Sequence, residues 1–353
     1  MMSSDLFFRD KIPVVVLGAT RKAGSKLVQK LTSHPWFQIA ALCEDSRHGC
    51  GQPYGRIMSD LSFLPDFIQK MVLQSCDHPL SYPVVFSSLS TADQWQEKLW
   101  AEAGAYVISL RSPSILCDLP LIVPGVNEDQ FLLISNRHKK GGILAIPTPL
   151  VCGLSLVLKP LFDRFGLDVV HIQVPFSIDS DDQKTEIAEQ ILLVLSTSQK
   201  HEAPNRNLVD RPHFDSVKAC QGSDLTLKDQ LDSTLKKTFE LILTRDLTES
   251  SLSIAMRLKK EAEMQELIQT WHEFRGESDR LLLPSAPYYP LFYSSDGSLA
   301  AIDKEVAVYL NGLTPLSLKN FKFHASLSNT TLEGIQSMLF QAELLVAYGN
   351  IYW

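Results

Sequence analysis

The 353-residue chain lacks any uninterrupted apolar run long enough to cross a membrane, which takes about 18 or more residues. It also lacks an excess of base. Its 33 Lys and Arg stand against 40 Asp and Glu, giving a formal charge of -7, so nucleic acid is not an expected partner. The short pairs Lys139-Lys140 and Lys259-Lys260 read as solvated faces. Six cysteines (Cys43, Cys50, Cys76, Cys117, Cys152, Cys220) are scattered with no Cys-x-x-Cys pair, and the nine histidines do not cluster. Neither a zinc cage nor a disulfide framework is expected, and the cysteines read as reduced structural thiols. There is no internal repeat and no low-complexity tract. The opening segment from Met1 to Asp10 carries acid where a signal peptide would carry base, which makes the cytoplasm the expected compartment.

What is present is the composition of an ordinary globular protein, 45% hydrophobic and 21% charged, in a chain long enough for two cores. Ile12-Pro-Val-Val-Val-Leu17 is an apolar run suited to a strand buried on both faces. The turn Gly18-Ala-Thr-Arg-Lys-Ala-Gly24 follows, then Leu27, Val28 and Leu31 at helical spacing, then a second strand at Phe37–Cys43. Such a βαβ unit predicts a parallel sheet. The alternation continues with Val84–Ser87, a helix over Thr91–Ala103, Tyr106–Ser109 and the apolar Leu121-Ile-Val123. After Gly166 the texture changes. Strand-like segments at 168–174, 240–244, 252–258 and 307–310 are separated by a polar stretch, about 179–236, with two helix-like patches, which predicts a second, α+β domain. The final segment, Thr331–Tyr348, spaces Leu332, Ile335, Leu339, Ala342 and Leu345 along one face and predicts a closing helix on the first domain.

Several ordered blocks resemble aspartate-semialdehyde dehydrogenases. Val16-Leu-Gly-Ala-Thr20 with Gly24 resembles their dinucleotide turn, and His34-Pro-Trp-Phe37 the loop beyond it. Ser46-Arg47 through Tyr54-Gly55, Val85–Leu89, Glu102–Ser109 and Pro120-Leu-Ile-Val-Pro-Gly-Val-Asn127 follow in the family's order, and Ser328-Asn329, Gly334 and Ala342–Val346 echo its end. Gly142 to Gly166 resembles the strand, turn and helix that carry the family nucleophile, Asn-Pro-Asn-Cys-Ser-Thr-Thr-Gly.

The resemblance implies a Rossmann-like doubly wound domain over 1–146, completed by 331–353, and an α+β substrate and dimerisation domain over 147–330. It implies NADPH-dependent reduction of L-aspartyl-4-phosphate to aspartate semialdehyde, in a cytoplasmic homodimer, with no metal. A cysteine thiolate would attack the acyl phosphate, and a histidine would move the protons. The implied cofactor residues are Gly18, Thr20, Arg21, Gly24, Ser46 and Arg47. Here the pattern departs from the family. Arg21 replaces the middle glycine, and Glu44 and Asp45 bring acid to a place where an unphosphorylated ribose is usually preferred. Pro149 stands in the nucleophile position, with Cys152 three residues on. In the histidine block, Arg245 matches the family's substrate arginine and Leu252 stands in the histidine position, with Glu249 as a nearby acid. Ser114 matches another substrate arginine, with Arg111 close by. Three readings stay open: a fold whose turnover is absent or reduced, a divergent dehydrogenase using Cys152, and a non-catalytic binding or assembly subunit.

Overall fold

The computed structural model describes residues 11–58, 64–110, 119–135, 141–175, 181–197, 240–245, 251–276, 281, 283–286, 289–295, 306–327 and 334–351. The first sheet contains β1 (Ile12–Leu17), β2 (Phe37–Glu44), β3 (Gln74–Ser75), β4 (Val84–Ser87), β5 (Tyr106–Ser109) and β6 (Gly142–Ala145). Their order is β3-β2-β1-β4-β5-β6, and every neighbouring pair is parallel. Val14, Val15, Val16 and Leu17 are all fully buried, because helices cover both faces.

The helices in chain order are α1 (Lys22–Thr32), α2 (Tyr54–Ile57), α3 (Asp66–Gln69), α4 (Trp95–Glu102), α5 (Phe131–Ser135), α6 (Pro149–Phe165), α7 (Asp181–Thr197), α8 (Met264–Glu273) and α9 (Ile335–Ala347). On one face of the first sheet, Leu27, Val28 and Leu31 of α1 pack with Ile335, Met338, Leu339, Ala342 and Leu345 of α9. On the other, Trp100 of α4 packs with Val15, Leu17, Cys43 and Val107. The sheet is doubly wound, and the closing helix returns to it. That return is fixed by polar contacts as well as by apolar area. His34 Nε2 lies 2.8 Å from Glu343 Oε1, while His34 Nδ1 accepts from the amides of Trp36 and Phe37, so the tautomer that donates to the carboxylate is the one that fits. Glu343 Oε2 accepts from Ser285 N, and both partners are buried. Unpaired, a carboxylate in that position would be costly.

The second sheet contains β7 (Leu167–Val174), β8 (Glu240–Arg245), β9 (Leu252–Leu258), β10 (Tyr289–Ser294), β11 (Val306–Pro315) and β12 (Asn320–Leu327), in the order β10-β11-β12-β9-β7-β8. It is mixed: β10 with β11 and β7 with β8 are parallel, and the other neighbours are antiparallel. One face packs on α6, whose surface is apolar nearly all round and buried from Leu150 to Leu161. Trp271 of α8 closes this core and donates from Nε1 to Val157 O.

Two local expectations change. The Thr91–Ala103 segment begins as a 3-10 turn at Thr91–Asp93 before α4 starts. Leu121-Ile-Val123 pairs with no strand among the described residues; Asn127 folds it into a loop by accepting from Val123 N and donating to Leu121 O. Of the helix-like patches expected between 179 and 236, α7 is one, and residues 198–239 lie outside the described residues.

Candidate dinucleotide and catalytic site

The strand order reverses between β1 and β4, so the loops leaving the carboxyl ends of these strands diverge and open a crevice. The turn from β1 to α1 lies there. Gly18 has φ +72°, a conformation that side chains disfavour, and the amides of Gly18 and Ala19 both donate to Cys43 O. A Cβ on Gly24 would sit 2.0 Å from Gly18 O, so the close approach of helix to strand requires glycine there. Ser88 Oγ donates to Gly18 O at 2.8 Å and Tyr54 OH to Ala19 O at 3.2 Å, which props the turn from two sides. Helix α1 opens with no side-chain cap and no acid in its first turn. An uncapped helix N-terminus beside a tight glycine turn suits a pyrophosphate.

The sequence candidates around this turn separate in the structure. Gly18 and Gly24 form it. Thr20 is committed elsewhere: its amide and Oγ1 both donate to Glu44 Oε2, at 3.0 and 2.7 Å. Glu44 is fully buried, so the acid expected to reach a ribose is turned onto the turn itself. Arg21 and Arg47 converge. Arg21 Nη2 lies 2.9 Å from Asp93 Oδ2 and 3.3 Å from Asp45 Oδ2; Arg47 Nη2 lies 2.8 Å from Asp93 Oδ1 and 3.2 Å from Asp45 Oδ2. Of Ser46, the structure describes only the backbone, in a short turn over Ser46–His48.

Both acids are held ionised. Asp93 lies below the usual carboxylate range because Ser90 donates to it at 2.6 Å and the two arginines add their charge. For Asp45 burial works in the opposite direction, but hydrogen bonds from the His48 ring and from the amide and side chain of Arg47 outweigh it. Glu44, Asp45 and His48 bring ligand atoms within 4.8 Å of one another, yet two guanidinium groups already use these carboxylates, an electrostatic setting that repels a cation.

Asp93 carried no signal in the sequence reading. Ser90-Thr-Ala-Asp93 has the spacing of a helix-start box, which suggests a structural role only.

At the nucleophile position, Pro149 takes the first turn of α6, where its missing N–H and fixed φ are tolerated. Thr148 caps the helix by accepting from Val151 N. Cys152 lies one turn further in and is buried, its Sγ 3.5 Å from Pro147 O. Burial pushes its thiol up to about 12, despite a hydrogen bond with Ser337. Gly153 is required by close packing: a Cβ there would meet Leu327 Cδ2 at 2.1 Å.

At the histidine position, Leu252 is a buried member of the second core at the start of β9, paired with Ala325. Arg245 ends β8 opposite Val174, and only its backbone is described. Arg111, Ser114 and Glu249 lie outside the described residues.

Residues 13–134 match the sequence profile described as semialdehyde dehydrogenase, NAD binding domain. An aspartate-semialdehyde dehydrogenase from Archaeoglobus fulgidus is 34% identical over 168 residues, 45% of this chain and 48% of that protein. Over that half of its length the chain is similar to aspartate-semialdehyde dehydrogenases. At this level of identity it spans about half the length of the curated relatives it matches, the Candida albicans aspartate-semialdehyde dehydrogenase being 35% identical over 46% of its length. A malonyl CoA reductase (NADP) from Metallosphaera sedula matches more fully but more distantly, at 23% identity over 97% of this chain and 99% of its own. The likeness of fold extends through both sheets: the crystal structure of the Candida albicans aspartate-semialdehyde dehydrogenase with NADP superposes with a TM-score of 0.74 at 22% identity, covering 97% of this chain and 100% of that one.

Proposed function

We propose that this chain is a divergent member of the aspartate-semialdehyde dehydrogenase family, that it binds a nicotinamide dinucleotide, NADP by resemblance, and that its thiol-dependent turnover is absent or greatly reduced. The observation that carries this is the start of α6. It presents Pro149 where the resemblance calls for a thiolate, while the neighbouring thiol of Cys152 is buried and raised to about 12. When bound, the dinucleotide would supply or accept a hydride. The Gly18–Gly24 turn and the N-terminus of α1 would hold its pyrophosphate, and Arg21 and Arg47, both already engaged with acids, would line its adenosine end. On this reading the first sheet with α9 is the nucleotide domain and the second sheet the dimerisation domain, in a cytoplasmic homodimer.

The test has two parts. NADPH should raise the melting temperature in proportion to its occupancy, and Gly24→Ala should remove that shift, because its Cβ would displace the turn at a cost of about 1–3 kcal/mol. Turnover with aspartate semialdehyde, phosphate and NADP, followed by nicotinamide absorbance, should stay at background. No thermal shift at millimolar NADPH and NADH would end the binding reading; rapid turnover would end the silent one.

The homodimer is supported by the second sheet, whose face away from α6 exposes Ile242 and carries half-buried Ala255 and His324. Light scattering at micromolar concentration should give twice the chain mass. A monomer would remove the dimer from the proposal.

A further inference from the structure

Asp93 comes from the turn after β4, Arg21 from the turn after β1, and Arg47 from the turn after β2. Three separate elements around the crevice therefore bring two guanidinium groups onto one carboxylate. Arg21 Nε is buried and has no hydrogen-bond partner among the described residues, its nearest acid oxygen, Glu44 Oε1, lying 3.6 Å away. The Arg47 side chain is 67% exposed and so is free to change partners. In this cluster three carboxylates, Glu44, Asp45 and Asp93, face the two guanidinium groups of Arg21 and Arg47.

We propose that Asp93 is an internal competitor for a ligand's phosphate monoester: it occupies Arg21 and Arg47, and so sets how strongly this site discriminates a 2′-phosphorylated dinucleotide from an unphosphorylated one. This rests on the dinucleotide reading above. A planar guanidinium binds a carboxylate and a phosphate with the same pair of donors, so one displaces the other. A phosphate dianion entering the cluster must take both arginines from Asp93 and meets the repulsion of Asp45 and Glu44. A ribose that carries only hydroxyl groups meets neither obstacle. Asp93 is thus a specificity-determining residue, and it acts through the arginines it holds.

The experiment measures dissociation constants by titration calorimetry on the full chain, with NADPH, NADH, adenosine 2′,5′-bisphosphate and AMP as probes. Asp93→Asn should tighten NADPH and the bisphosphate by about tenfold, while NADH and AMP change by less than about twofold, because only the phosphorylated pair contends with the lost charge. Asp93→Ser should give the same pattern, and melting temperatures identify any variant that fails to fold. Arg47→Ala should weaken the phosphorylated pair and leave the other pair nearly unchanged. Equal changes for all four probes, or a loss of NADPH affinity in both Asp93 variants, would overturn the proposal while leaving the dinucleotide reading intact. If none of the four binds to the original chain or to the variants, both fall together.

Discussion

Cys152 should alkylate with iodoacetamide about a thousandfold more slowly than an ordinary exposed thiol near neutral pH. The thiolate is the reacting species, and an ordinary thiol titrates near about 8.5. A thiol raised to about 12 therefore offers on the order of a thousandth of the thiolate at the same pH, before burial slows access further. The pH profile is a second signature. An ordinary thiol's rate levels off at about pH 9–10, whereas that of Cys152 should keep rising about tenfold per pH unit beyond that point for as long as the protein stays folded. Cys152→Ser should leave any turnover unchanged, since the sulfur contributes packing and weak hydrogen bonds to Pro147 O and with Ser337. Turnover abolished by Cys152→Ser, with rapid alkylation at pH 7, would establish a relocated nucleophile and sink the silent reading.

The architecture was legible because it is repetitive. Apolar runs such as Val14–Leu17, helical spacing at Leu27, Val28 and Leu31, and glycines at Gly18 and Gly24 each report a local requirement, and the structure meets each of them. The closing helix was legible in its apolar face; the structure caps it at Gly334 and runs it over Ile335–Ala347, while the expected start at Thr331 lies outside the described residues. The acid–arginine cluster was not legible in the same way. Arg21 and Asp93 are 72 residues apart, and no periodicity links them. Arg21 and Arg47 were singled out as cations that would attract phosphate, which the charges alone suggest; that each is already held by Asp93 is a tertiary fact. Glu44 shows the same limit. The end of β2 suggests a ribose acid, but its carboxylate is turned inward, where it accepts from the amide and hydroxyl of Thr20.

The start of α6 joins these strands of argument. The helix keeps its cap, its first-turn proline and the close contact of Gly153, all of which preserve the fold, while no thiol stands at its exposed end. Nothing in the packing requires this. Pro149 is half-buried and Leu150 carries the core contact, so the position can accept a small side chain.

Pro149→Cys should therefore create a reactive thiol on a folded protein. Its sulfur would lie at the N-terminus of a 17-residue helix, where the helix dipole and partial exposure favour the thiolate and hold its pKa below the ordinary value. It should alkylate stoichiometrically at pH 7, at least a hundredfold faster than Cys152, which mass spectrometry of the labelled peptide can read directly. Turnover should remain near background, because a nucleophile without a proton partner recovers little of the rate when the two act as a unit. Leu252→His alone should lower stability by about 2–3 kcal/mol, since it replaces a buried core leucine with a polar ring, and should give no activity. The joint change should exceed either single change in turnover if Leu252 faces the same reaction space as Pro149. Slow alkylation of the Pro149→Cys thiol would show that the start of α6 is closed to substrate, and that more than the nucleophile has been lost from this site.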